Sequence, residues 1–141
     1  MGYASSFAVT QVTGPNGAQA TTTYDALTRP LQSSIPDGAV TKYTYSYSGP
    51  VVQTATLYPD PNNPNNATRW KQTTLDGFGR VTKVVSGQGG TTVSTVETQY
   101  APCACTPLGK MSAVSAPYAP GQTAQWTHYF YDALGRTTSV V

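Results

Sequence analysis

Three aspartates, Asp25, Asp76 and Asp132, each stand four positions before an arginine: Arg29, Arg80 and Arg136. A carboxylate beside a guanidinium can hold an anion or, with a second titratable group, move a proton. Acid–base work needs two groups whose environments drive their pKa values apart, and nucleophilic work needs a base beside the nucleophile. Each copy here offers one acid already matched to one base, and repetition argues against a unique reacting centre. The other reactive side chains are Cys103, Cys105 and the single histidine, His128. They make three soft ligands where a structural metal site takes four, usually with two residues between paired cysteines. No catalytic residue, metal site or cofactor is therefore assigned. In an extended chain, cysteines two positions apart lie near the bridging limit of about 7 Å with diverging Cβ vectors, so two free thiols in a proline-flanked loop are expected.

The segments around the aspartates align: "TYDALTRPLQSS" from Thr23, "TLDGFGRVTKVV" from Thr74 and "FYDALGRTTSVV" from Phe130. In "DALGR" the acid comes first and the glycine fourth, as a type I turn closing a bulged hairpin prefers. Asp132 is expected to accept backbone N–H bonds within the turn, Gly135 to take the left-handed conformation, and Arg136 to brace the return strand by a charge-assisted bond. Tyr131 ends the incoming strand, where its ring can cover the joint. The same roles fall to Tyr24, Asp25 and Arg29, and to Asp76, Gly79 and Arg80. Thr28 replaces the turn glycine in the first copy, and Leu75 replaces the tyrosine in the second. The motif reads as a structural hairpin clasp.

The elements that carry these clasps follow from composition. In 141 residues there are 13 Gly, 11 Pro and 10 Tyr beside abundant Thr and Val, which favours strands and tight turns over helices. Turn signals divide the chain into strands at about 7–13, 18–24, 29–35, 39–48, 51–58, 68–75, 80–86, 91–100, 108–115, 122–131 and from 136 onward. In "TKYTYSYS", Tyr43, Tyr45 and Tyr47 alternate with polar residues and share one face. The expected fold is all-β: a single module over 1–141, in which a meander of antiparallel hairpins forms a twisted, open sheet. A chain of this length is also long enough to bury a core. "YPDPNNPNNATRW" is too rich in proline and asparagine for a strand and is expected to protrude as a loop, and "SGQGGTT" to form a flexible hairpin tip rather than a phosphate cradle. Asn66 heads a glycosylation sequon, relevant only on a glycosylating secretory route. Trp70 and Trp126 offer faces for packing or for stacking on sugar rings.

Charged residues are 10% of the chain and the net charge is +2, so no basic field suits nucleic acid. No apolar run reaches the length of a membrane-spanning helix. The N-terminal segment lacks the basic and apolar regions of a secretory signal, although Gly2 and Ser6 fit the short acylation pattern.

"YDALGR", alternating with "IPDGAVTKYTYS", resembles the tyrosine-aspartate repeat of the RHS (rearrangement hotspot) family, shared with toxin-complex shells and teneurins. "PLGKMSAVSAPY" and "WTHYFYDALGR" are also similar to stretches of bacterial members. The resemblance implies hairpins winding into the wall of a hollow shell, typically around a toxin. The family's self-cleaving aspartates have no matching segment here, so no protease role is transferred. The expectation is a non-enzymatic structural module, secreted or on the cell surface, whose partners are neighbouring repeats, an encapsulated toxin, or identical subunits joined through edge strands into a filament or ring. A carbohydrate-binding adhesion module using Trp70 and Trp126 is the other alternative.

Overall fold

Alternating Thr, Val and Tyr fill a pleated surface, and a turn signal every few residues folds each strand back on its predecessor. The computed structural model describes residues 2–3, 8–60, 62–63 and 65–141. It contains β1 (Gly2–Tyr3), β2 (Val9–Thr13), β3 (Gln19–Tyr24), β4 (Pro30–Ser34), β5 (Val40–Ser46), β6 (Val51–Tyr58), β7 (Arg69–Leu75), β8 (Val81–Gln88), β9 (Thr91–Cys103), β10 (Thr106–Ser115), β11 (Trp126–Tyr131) and β12 (Thr137–Val140). All twelve lie in one sheet in sequence order. Every pairing is antiparallel. The protein is thus an all-β meander of hairpins whose sheet stays open, with β1 and β12 at its edges.

The expected spans agree with the strands, with differences at the ends. β1 is an addition, and β9 and β10 run closer to their shared turn than the proline-flanked cysteines suggest. Tyr43 and Tyr45 lie in β5, whereas Tyr47 follows the strand and is exposed. The Phe7 start of the first expected strand, Ser6 of the acylation pattern, and Pro61 and Pro64 of the long loop lie outside the described residues.

A bulge marks each clasp. The pairing steps from Thr23↔Gln32 to Tyr24↔Pro30, from Thr74↔Lys83 to Leu75↔Val81 and from Phe130↔Ser139 to Tyr131↔Thr137. Leu31, Thr82 and Thr138 are the extra residues, each two positions after the clasp arginine. Such a bulge bends the return strand and increases its twist.

The chain is long enough to bury a core, yet a core is nearly absent among the described residues. Val40 and Ala113 are the only apolar residues that are buried among those described, and no large side chain is fully enclosed. One sheet without a second layer leaves both faces accessible to water. The accessible surface is 9008 Å², against about 7,000 Å² for a compact chain of 14.9 kDa.

The expectation of free thiols is overturned. Cys103 and Cys105 form a disulfide, with their Cα atoms 5.1 Å apart. Cys103 pairs with Thr106 across a two-residue turn, Ala104-Cys105, so the local chain is folded rather than extended. That shortens the Cα separation into the range a disulfide accepts.

Candidate functional site

Every clasp places its atoms alike. Asp25 Oδ1 accepts the N–H groups of Leu27 and Arg29 at 2.8 and 2.9 Å. Asp76 Oδ1 accepts those of Phe78 and Arg80, both at 2.9 Å, and Asp132 Oδ1 those of Leu134 and Arg136, both at 2.9 Å. The second oxygen takes the arginine Nε–H at 2.6, 2.7 and 2.7 Å respectively. Arg29 and Arg80 also reach that oxygen through a terminal nitrogen. The turn closes by an N–H bond from Thr28, Gly79 or Gly135 to the aspartate carbonyl. Gly79 and Gly135 have φ of 77° and 80°, and Thr28 is held at 62°, a region costly for a β-branched residue.

These bonds explain the titration of the acids. The side chain of Arg29, then its backbone N–H, holds the Asp25 carboxyl below the usual range. At Asp76 desolvation pushes upward, but the combined bonds from Arg80 and Phe78 outweigh it and the net shift is downward. Asp132 is lowered by the backbone N–H of Arg136 first and its side chain second. Each carboxylate therefore stays ionised and engaged by its own turn. This arrangement holds a hairpin shut, and it commits each clasp carboxylate to its own turn.

The structure adds a feature that the aligned motifs do not reveal. The arginines of the first two clasps also meet the next strand. The Arg29 guanidinium lies 4.6 Å from the Tyr45 ring and 5.2 Å from Tyr47, and the Tyr45 hydroxyl donates to the Pro30 carbonyl at 2.9 Å. Arg80 lies 4.2 Å from the Tyr100 ring and donates to the Leu108 carbonyl, while Tyr100 donates to the Val81 carbonyl at 3.1 Å. Lys110 takes the same part toward Tyr131, at 4.6 Å, and Tyr131 donates to the Met111 carbonyl at 2.8 Å. Lys110 also donates to the Gly135 carbonyl at 2.6 Å, tying β10 to the third clasp. Tyr24 donates to the Val9 carbonyl at 2.9 Å without a cation. Cation and ring attract electrostatically, and the hydroxyl finds its partner on the neighbouring backbone. The available signal was the tyrosine toward the end of alternate strands.

The remaining candidates are dispersed. Trp70 donates from Nε1 to the Gly89 carbonyl at 2.9 Å and packs directly over Gly87. It borders a groove of about 460 Å³ with Leu57, Lys71 and Val93. Trp126 lies on β11, four strands away, or about 19 Å at ordinary strand spacing. The two indoles therefore do not frame one sugar ring. Asn66 is half-buried, and with its amide oriented to suit its neighbours, the nitrogen faces the Asp60 and Asn63 carbonyls at 3.2 and 2.7 Å. The atom that would carry a glycan thus points into its own loop. His128, Cys103, Lys110 and Tyr131 border a second cavity of about 350 Å³. Among the described residues, no three His, Cys, Asp or Glu side chains converge to hold a metal. No helix among them is long and apolar enough to cross a membrane, which leaves β-barrels aside. Compared with models of known protein families and with curated proteins, the chain matches none.

Proposed function

We propose that the chain is a non-enzymatic structural module, a segment of an RHS-like wall that encloses or scaffolds a partner such as a toxin in a secreted or surface protein. The observation that carries this reading is the clasp used repeatedly as a joint. In its first two copies the aspartate closes one hairpin, and the arginine lies against the tyrosine of the following strand. Such coupling transmits order from hairpin to hairpin along a sheet that has almost no core. The accessible area beyond that of a compact chain supports a role in which the faces are covered by something else. Carboxylates locked into turns support a mechanical use over a chemical one.

The test is to express the chain joined in frame to the sequence flanking its coding region, then apply electron microscopy and limited proteolysis. A hollow particle whose enclosed segment resists protease is expected. A compact particle without a cavity, or a hydrolytic activity abolished by Asp132→Asn, would overturn the reading.

A second reading, assembly of identical subunits through edge strands, is favoured by the sequence of β12. "TTSV" carries no charge and no proline, the usual protections of an open edge, and all four residues are exposed.

A further inference from the structure

The second cavity opens beside sulfur. It measures about 350 Å³ and is bordered by Ala101 and Cys103 of β9, Lys110 of β10 and Tyr131 of β11. A space of this size suits a small-molecule ligand. Neither cysteine of the bridge is buried. Exposed bridges are the ones that exchange with other thiols, whereas shielded ones resist.

The two sulfurs are not equivalent. Cys103 borders the cavity, and Cys105 does not. Cys105 turns instead toward the third clasp, where a Cβ added to Gly135 would meet its Cβ at 3.2 Å and its Sγ at 3.4 Å. The same added atom would meet Lys110 Nζ at 3.4 Å, so the ammonium and the Cys105 sulfur flank one glycine. Lys110 spends one N–H on the Gly135 carbonyl, which leaves it two more donors.

The bridge also does little to hold the sheet. It closes a three-residue loop, and short loops gain least from closure. The strands it joins are paired independently, by Thr106↔Cys103, Lys110↔Ala101 and Met111↔Tyr100. Opening the bridge therefore leaves β9 and β10 in register.

We propose that Cys103–Cys105 is a thiol–disulfide exchange site that takes a small aliphatic thiol in the cavity beside Cys103. The ligand's thiolate attacks Cys103 Sγ. A new S–S bond forms between ligand and Cys103 as the Cys103–Cys105 bond breaks, and the electron pair of the broken bond leaves on Cys105 Sγ. Lys110 stands beside the resulting thiolate and stabilises it, which makes Cys105 the better leaving group. A second ligand thiolate attacks the ligand sulfur of the mixed disulfide, releasing the ligand as its own disulfide and Cys103 as a thiolate. Two ligand thiols are thus oxidised and one protein disulfide is reduced, and the two ligand protons pass through solvent to the two cysteines. The inference goes beyond the wall reading and does not depend on it.

Exchange kinetics with glutathione as the probe test the inference. The oxidised full chain is mixed with glutathione at neutral pH, quenched with acid at intervals and mapped by tandem mass spectrometry, with melting curves to verify folding. The adduct is expected on Cys103, in a protein that keeps its cooperative melt. Its rate of formation is expected to level off as glutathione rises, as binding in a cavity requires. Lys110→Met keeps an apolar stem beside Tyr131 and is expected to slow exchange about tenfold, the scale of one bond to a charged group. Lys110→Arg is expected to restore most of the rate. Ala101→Phe fills the cavity and is expected to slow glutathione more than the smaller mercaptoethanol. If Lys110→Met melts early, the Ala101→Phe comparison and the levelling of the rate decide.

A bridge that stays closed until the chain is denatured overturns the inference, as does an adduct found first on Cys105. A rate strictly proportional to glutathione would show simple collision with an exposed bridge and overturn the part given to the cavity. Wild-type rates in a folded Lys110→Met protein would overturn the part given to the ammonium. Faster reaction of a cysteine-bearing peptide than of glutathione would assign the bridge to polypeptide thiols and overturn the small-ligand assignment. Each of these leaves the wall reading standing, since the hollow-particle test decides that separately.

Discussion

Replacing Gly87 by alanine tests how the sheet packs in the absence of a core. Gly87 pairs with Trp70 across β7 and β8. An ideal Cβ there would lie 2.2 and 2.3 Å from Trp70 Cζ2 and Cε2, and 2.4 Å from the Thr91 carbonyl oxygen. Ordinary carbon contacts lie at about 3.5–4.0 Å, so the indole must move by more than about 1 Å. Overpacking of this kind costs about 1–3 kcal/mol. Displacing the ring also endangers its 2.9 Å bond to Gly89, which contributes about 1 kcal/mol. Together these predict a loss of about 2–4 kcal/mol, or roughly 5–15 °C in melting temperature for a chain of this size. Thermal melting followed by circular dichroism, with tryptophan fluorescence reporting the indole, measures both effects. The same substitution in a Trp70→Ala background should cost less, with a coupling of at least about 1 kcal/mol. A Gly87→Ala protein melting within about 2 °C of wild type would refute the packing argument. Strictly additive costs would assign the strain to the Thr91 carbonyl instead.

Four further outcomes follow from the clasps and the turn disulfide. Thr28→Gly should stabilise the protein by about 1 kcal/mol by relieving a positive φ on a β-branched residue, and a lower urea midpoint would contradict this. Asparagine replacements should lower the melting temperature more at Asp25 and Asp76 than at Asp132, because Arg29 and Arg80 are also held by tyrosines and Arg136 is not. The reverse order would count against the brace. The three aspartates are lowered from 3.8 and Glu97, chiefly through Lys83, from 4.5 in the folded chain. Their stabilisation is present above those values and lost as pH falls through the lower folded ones. Melting temperature should therefore fall below about pH 4, and a rise on acidification would refute the assignment. Reduction of Cys103–Cys105 should cost only about 1.5 kcal/mol, since the bridge closes a three-residue loop. Global unfolding on reduction would show that the bridge does more than close the turn.

The order of strands and the closure of each clasp were legible in the sequence because their causes are local. Asp132 and Gly135 stand three positions apart, and Asp132 and Arg136 four, so the turn, its bonds and the lowered carboxyl all lie within one short peptide. Alternation in "TKYTYSYS" likewise depends only on the period of a strand. The tertiary structure decided what meets across strands. Arg80 and Tyr100 come together because the pairing of β7, β8 and β9, with its bulges, sets one register, and a shift of one residue would turn the tyrosine to the other face. Gly87 owes its identity to Trp70, seventeen positions earlier and directly opposite. The two cysteines bridge because Ala104-Cys105 forms a tight turn, a conformation their spacing did not specify. The near absence of a core also emerged only in three dimensions: alternation describes a strand with two unlike faces, but whether anything covers either face depends on layers that one meander does not supply.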